Sequence, residues 1–158
     1  MIALRYVYVL ALVVWVGGAL TIGGVVAPSA FAVLDGGEPR LAATLVGEVL
    51  RRFHHVAYAA AAILLSTLIL MKVVGPRPRG FGIRLGLVGT MLGFTLVAGL
   101  FVDPWIAGMR AEIGVPVRTL AVDDARRVRF GQLHGLSTAL LAATIVGGLV
   151  LCYWETRE

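Results

Sequence analysis

The segment FGQLHGLSTALLAATIVGGLVLCYW, Phe130–Trp154, contains no Asp, Glu, Lys or Arg and follows an arginine-rich run that ends at Arg129. A helix rises about 1.5 Å per residue and the hydrocarbon core of a bilayer is about 30 Å thick, so about 20 apolar residues cross it. The segment is therefore long enough to span a membrane as a helix, with the arginines at headgroup level.

Three further uncharged stretches reach or approach this length, namely Tyr6–Leu34, Phe53–Met71 and Leu85–Val102. The 158 residues are 59% hydrophobic and 15% charged, with a mean hydropathy of +0.91. These values lie well outside those of soluble globular domains. We predict an all-α integral membrane protein with one transmembrane domain over residues 1–158, its spans at about 4–34, 40–73, 81–112 and 119–155.

Short connections between the spans predict an up-and-down four-helix bundle with both termini on one side. The first helix is expected to kink near Pro28, because proline removes a backbone donor and clashes with the preceding turn. Its apolar run is longer than that of a signal peptide and is interpreted as a retained span. Helices two and four are expected to extend beyond the hydrocarbon on the non-terminal side, the fourth from Thr119 or Asp123, which is spaced to pair with Arg127.

Glycines at helical spacing predict close helix–helix packing, because small residues let backbones approach each other in lipid. In a helix each glycine costs about 0.5–1 kcal/mol relative to alanine, so a regular stripe indicates a compensating contact. The predicted packing residues are Gly17 and Gly24 in the first helix, and Gly82, Gly86, Gly89 and Gly93 in the third.

His54, His55 and His134 are the candidate ligands. Helices two and four run in the same direction, so all three histidines lie within one or two turns of the same membrane face. A diagonal pair could hold haem b or a metal ion between two imidazoles. Alternatively, each ring hydrogen-bonds a backbone carbonyl, water or a neighbour such as Asp103.

A small, polar face of helix two, formed by His55, Ala59, Ala62 and Ser66, is expected to point into the bundle. Trp15, near the middle of the first span, is interpreted as a bundle or lipid contact. The chain has no His-x-x-His or clustered Cys or Met pattern, so the signal for a metal centre is weak. Its single cysteine, Cys152, is interpreted as an apolar packing residue.

Basic residues gather at the membrane boundaries and give a net charge of +5 and a pI of about 10.1. Arginines facing anionic headgroups account for this charge, and no nucleic-acid partner is expected. Total Lys and Arg counts favour external termini, whereas the acid-free basic loop between spans two and three favours cytoplasmic termini, which we expect. Candidate contacts to lipid or a partner are Arg51, Arg52, Arg126, Arg127 and Arg129.

Five short motifs occur in order: WVGG at Trp15–Gly18, APSAF at Ala27–Phe31, GEVLRRF at Gly47–Phe53, DPWIAGMR at Asp103–Arg110 and FGQLHGLS at Phe130–Ser137. Together they resemble a bacterial four-helix integral membrane family of unknown function related to transmembrane protein 205. The resemblance implies a compact bundle, in the bacterial inner membrane, with Pro28, Arg110, His134 and Ser137 at motif positions. The tandem His54-His55 departs from the family's pattern.

Two functions remain open. The first is an accessory or structural subunit, without enzymatic activity, that packs into a larger membrane complex or a homo-oligomer; no nucleophile–base pair or phosphate loop is recognisable in the spans. The second is a haem- or metal-binding redox protein that uses His134 with His54 or His55. A transporter is a third possibility, and it would need oligomerisation to form a path.

Overall fold

The computed structural model describes residues 2–34, 39–74 and 80–156. The predicted turn at 35–38, the basic connection at 75–79 and Arg157 lie outside the described residues. Within them, four helices are long and apolar enough to cross a membrane. They are α1 at Ile2–Leu34, α2 at Pro39–Val74, α3 at Phe81–Ile113 and α4 at Ala125–Glu155.

The helices form an antiparallel bundle in which each packs against the next and α4 closes back on α1. This places α1 diagonal to α3, and α2 diagonal to α4, as the sequence predicted. The guanidinium of Arg5, near the start of α1, donates to the backbone oxygen of Glu155, at the end of α4, over 2.9 Å. Both ends of the described chain therefore lie at the same end of the bundle, which we call the terminal end.

The core consists of apolar side chains contributed by all four helices. Its largest fully buried members are Tyr8, Leu12, Trp15, Leu64, Leu68, Val88, Met91, Val102 and Leu151. Only 22–39% of the most apolar 18-residue window of each helix is buried inside the protein. The remaining surface of these windows is apolar and outward-facing, which is the arrangement of a protein whose solvent is lipid.

The inward face of α2 differs from the predicted one. His55, Ala59, Ala62 and Ser66 are exposed, whereas Phe53 and the residues that follow it at helical spacing are buried. A Cβ added to Gly18 of α1 would lie 3.2 Å from Cδ2 of Phe53, so this glycine makes room for the ring. This buried face combines the large side chains Phe53, Leu64 and Leu68 with the small ones of Ala57 and Ala61, and the helix packs against α1.

Both intrahelical prolines follow a π-helical turn. Ile22–Val26 precedes Pro28, and Ala98–Val102 precedes Pro104. The backbone N–H groups that close these turns bond five residues back, from Ala27 to Ile22 and from Asp103 to Ala98. Such turns are a common way for a helix to absorb a local disruption. The irregularity predicted near Pro28 is therefore a widened turn, and α1 continues through it to Leu34.

The fourth helix begins later than the sequence predicted. Val117–Thr119 forms a separate 3-10 turn, and Asp124 caps α4 by accepting the backbone N–H of Arg126 at 2.8 Å. The side chain of Arg126 also bonds this carboxylate and holds the pKa of Asp124 at about 2. Arg127 donates to the backbone oxygen of Leu120 at 2.7 Å instead of pairing with Asp123. A direct cap satisfies the first N–H groups of the helix, which a pair one turn later would not do.

The glycines that pack helices together inside this chain are not the predicted ones. A Cβ added to any of Gly17, Gly24, Gly82, Gly86, Gly89 or Gly93 would meet no described atom of another element within 4 Å. The close approaches occur at Gly18, Gly99, Gly147 and Gly148. Gly148, for example, lies against Val16 of α1, and a Cβ on Gly147 would be 3.0 Å from Met91 Cγ of α3. The bundle turns these glycines inward and leaves the stripe of α3 outside.

A charged cluster joins three helices at the terminal end. Glu155 of α4 bonds the guanidinium of Arg84 of α3, and its second oxygen lies 3.3 Å from Nε of Arg5 of α1. The Arg84 side chain is only 4% exposed and that of Glu155 is 10% exposed. Arg84 therefore does not face the headgroups, because the structure buries it in an ion pair inside the bundle.

Candidate functional site

A polar network crosses the bundle toward the end opposite the termini. Ser137 of α4 donates to Oδ1 of Asp103 of α3 at 3.1 Å, and Oδ2 of Asp103 lies 3.5 Å from Nδ1 of His54 of α2. His54 is 7% exposed and stacks on Tyr58, with ring centroids 6.1 Å apart. Three helices thus contribute to one cluster, and an intramembrane carboxylate finds protein partners as expected.

The π-helical turn of α3 makes room for this network. Gly99 lies in that turn, and a Cβ there would collide with the Tyr58 hydroxyl and lie 2.9 Å from Nδ1 of His54. Any larger residue at position 99 would push His54 away from Asp103. The turn also places Asp103 at the start of the α-helical segment that follows it.

The order of the network differs from that of a serine hydrolase. In a serine hydrolase the imidazole lies between hydroxyl and carboxylate, so that it can take the hydroxyl proton. Here the carboxylate of Asp103 lies between Ser137 and His54, and the Ser137 proton is donated to it. The arrangement is instead suited to fixing the orientation of the His54 ring, as a carboxylate behind a ligating histidine does.

A cavity of about 360 Å³ lies beside this network inside the bundle. All four helices line it, and its lining includes both His54 and His134. His134 is exposed and stacks on Phe130, with centroids 6.3 Å apart. The two histidines predicted to share a depth on diagonal helices therefore do line one space.

His55 does not line this cavity. It is exposed, and its Nδ1 lies 2.9 Å from the backbone oxygen of Arg51 on its own helix. Of the tandem pair only His54 is directed into the bundle, because successive helical residues lie about 100° apart. The structure thus brings His134 together with His54 and leaves His55 outside.

Residues 10–114 match the family described as a domain of unknown function, DUF4149. The chain belongs to the DUF4149 family. The matched region contains most of α1 and all of α2 and α3, with Trp15, His54 and Asp103, while His134 and Ser137 lie beyond it on α4. No curated protein and no solved structure matches the chain.

Arg110, within the DUF4149 region, contacts both α2 and α4. Its guanidinium donates to the backbone oxygen of Ala43 of α2 at 3.0 Å and lies 5.9 Å from the ring centroid of Phe130 of α4. Phe130 in turn stacks on His134. Arg110 therefore helps to position the His134 ring through Phe130.

Most arginines of the predicted lipid or partner contact are tied to their own chain. Arg51 and Arg52 bond Glu48 at 2.8 and 2.7 Å, and their side chains remain 64% and 77% exposed. Arg126 is bonded to Asp124, and Arg127 to the Leu120 carbonyl. Arg129 is exposed. These cations stay accessible while their local partners fix their positions.

Sequence reasoning did not assign two residues to this candidate site, Trp15 and Gly99. Trp15 lines the cavity although it was interpreted as a bundle or lipid contact; it is 0% exposed, and its Nε1 has no hydrogen-bond partner among the described residues. Gly99 carried no signal, because it lies outside the regular stripe of α3. A tryptophan at mid-span, far from the interface where tryptophans gather, was the one signal available for Trp15.

Proposed function

We propose that this DUF4149 protein is a non-enzymatic subunit of a membrane assembly and that it associates through the outer face of α3. The observation that carries the proposal is the stripe Gly82, Gly86, Gly89 and Gly93, beside which no described atom of another element would lie within 4 Å of an added Cβ. These glycines cost roughly 2–4 kcal/mol of helix propensity in total. No contact within the described part of the chain compensates this cost.

A second copy of the chain is the occupant that we propose for this face. A glycine stripe on one helix is complementary to itself about a two-fold axis, and two-fold dimers are the commonest closed assemblies. The order of the Ser137–Asp103–His54 network supports a non-enzymatic role, because it lacks the serine–histidine pairing of a serine hydrolase.

The substitution Gly86→Leu is expected to weaken self-association in liposomes by at least about tenfold, because the side chain would hold the two backbones apart. Energy transfer between labelled copies at varied protein-to-lipid ratios measures the dimer fraction. Gly135→Leu on α4 is the matched control, since a Cβ there also meets open space. Equal effects of both substitutions, or a native protein that is monomeric and retains no partner in a gentle-detergent pull-down, would contradict the proposal.

A haem- or metal-binding function with His134 and His54 is the second candidate. Two observations favour it. Both histidines line one cavity, and the carboxylate of Asp103 lies beside Nδ1 of His54, where carboxylates are often found next to metal-ligating imidazoles. Protein purified from its native membrane is then expected to show a Soret band that His134→Ala abolishes, with His55→Ala as the control. A colourless protein that is also metal-free by elemental analysis would rule this function out.

We also propose that the protein resides in the bacterial inner membrane with both termini in the cytoplasm. The acid-free basic connection at 75–79 supports this orientation, since Lys and Arg favour the cytoplasmic side. The motifs shared with the relatives of transmembrane protein 205 support a distant relation to that protein.

A further inference from the structure

The cavity opens sideways between α1 and α4. Its deep lining is buried, with Trp15 at 0%, Ala19 at 1% and Thr144 at 4% exposure. The lining residues Phe31 of α1 and Thr138 of α4 are exposed. The first part of α1 packs against both α2 and α4, whereas its last part, Ala27–Leu34, packs against α2. The π-helical turn and Pro28 thus lie where α1 leaves α4, and a lateral opening results.

The mouth of the cavity lies at a depth that lipid reaches. His134 and Thr138 follow Arg129 by five and nine residues, which places them about 7–14 Å below the arginine level at 1.5 Å per residue. A molecule entering between α1 and α4 therefore comes from the hydrocarbon region and not from water.

The lining is aromatic on every side. Rings come from each helix: Trp15 and Phe31, Phe53 and His54, Phe94, and His134. Flat rings pack against aromatic walls in stacked or edge-to-face arrangements. The volume of about 360 Å³ falls within the range of small-molecule sites.

The donors left over in the cavity are ring N–H groups. Its hydroxyls are already engaged, since Thr95, Thr138 and Thr144 donate to backbone oxygens of their own helices and Ser137 donates to Asp103. The His134 ring lies at the exposed mouth of the cavity. A ligand oxygen there can accept from a ring N–H of this histidine.

The lining contains no permanently charged side chain. None of the lining residues within the described ranges is Lys, Arg, Asp or Glu. An anionic ligand, including one with carboxylates such as haem, would find no cation here, whereas an uncharged ligand needs none.

We propose that the cavity binds a lipophilic quinone: an uncharged, flat ring whose carbonyl oxygen accepts from the His134 ring, and whose alkyl tail leaves between α1 and α4. The ring stacks among the aromatic walls, and His54 is held in place by Asp103 at the side of the ring. This site is independent of the glycine face of α3, so each proposal can fail without the other.

Calorimetric titration of the protein in saturated phosphatidylcholine nanodiscs with a decyl-substituted benzoquinone tests the proposal. Saturable one-site binding is expected, and His134→Phe should weaken it on the order of tenfold, because the imidazole N–H is lost and an aromatic ring is kept. Thr138→Phe, which fills the exposed mouth, should abolish binding. Ala139→Phe, on the neighbouring exposed and non-lining position, should leave it unchanged.

Decylbenzene has the same tail and an aromatic ring without carbonyls. It therefore tests whether binding depends on the quinone carbonyls or only on burial of the tail. Much weaker binding of decylbenzene supports the proposal, and equal binding overturns it. Binding that Thr138→Phe leaves intact overturns it as well, whether or not His134→Phe folds. A Soret band in the native protein would show that haem occupies the cavity, which also overturns it.

Discussion

The Glu155→Ala protein is expected to lose about 3–5 kcal/mol of unfolding free energy, the usual cost of removing one partner of a buried ion pair. The substitution removes the carboxylate that bonds Arg84, whose side chain is 4% exposed, and the contact with Arg5. Three helices would lose their shared contact at the terminal end. Reversible unfolding in mixed micelles, followed by circular dichroism, measures the change.

Glu48→Ala is the control for this experiment, because Glu48 bonds two arginines that remain 64% and 77% exposed. Exposed pairs contribute little to stability, so its unfolding curve should stay close to that of the native protein. Similar losses in the two variants would mean that the Glu155 cluster is solvated and not a buried contact.

Trp15→Ala is expected to lower the unfolding free energy by about 3–5 kcal/mol, as truncations of buried aromatic side chains do. Trp15 is fully buried and packs in the core. Its removal would also enlarge the existing cavity, since the ring forms part of the wall. The same unfolding measurement in micelles tests this prediction.

The matched control is Trp105→Ala, on a tryptophan that is 61% exposed. It should change the unfolding free energy little in micelles. If Trp105→Ala were the more damaging of the two, the assignment of Trp15 to the bundle interior would be wrong.

Features that depend on position along the membrane normal were predictable. The four spans, the irregularity near Pro28 and the common depth of His54 and His134 all follow from the rise per residue and the charged ends of each span. The diagonal placement of α2 and α4 follows from short connections in an up-and-down bundle. These predictions needed no side-chain contact.

Features that depend on rotation about each helix axis were not predictable. The small face of α2 was expected inside, yet His55 and Ser66 lie outside. The glycine stripe of α3 was expected to pack, yet within the described chain the contacts fall on Gly99, Gly147 and Gly148. Arginines were expected to face the headgroups, yet Arg84 is buried.

By itself, the sequence determined that this is a four-span membrane protein, which residues share a depth and which end of the bundle holds both termini. The tertiary structure decided which faces turn inward, and so which residues form the cavity, the Ser137–Asp103–His54 network and the Arg84–Glu155 pair. The physical reason is that lipid tails are as apolar as the interior of the bundle. Hydrophobicity along the chain therefore shows which residues lie within the membrane. Only the fit of side chains between helices determines which face of each helix points inward.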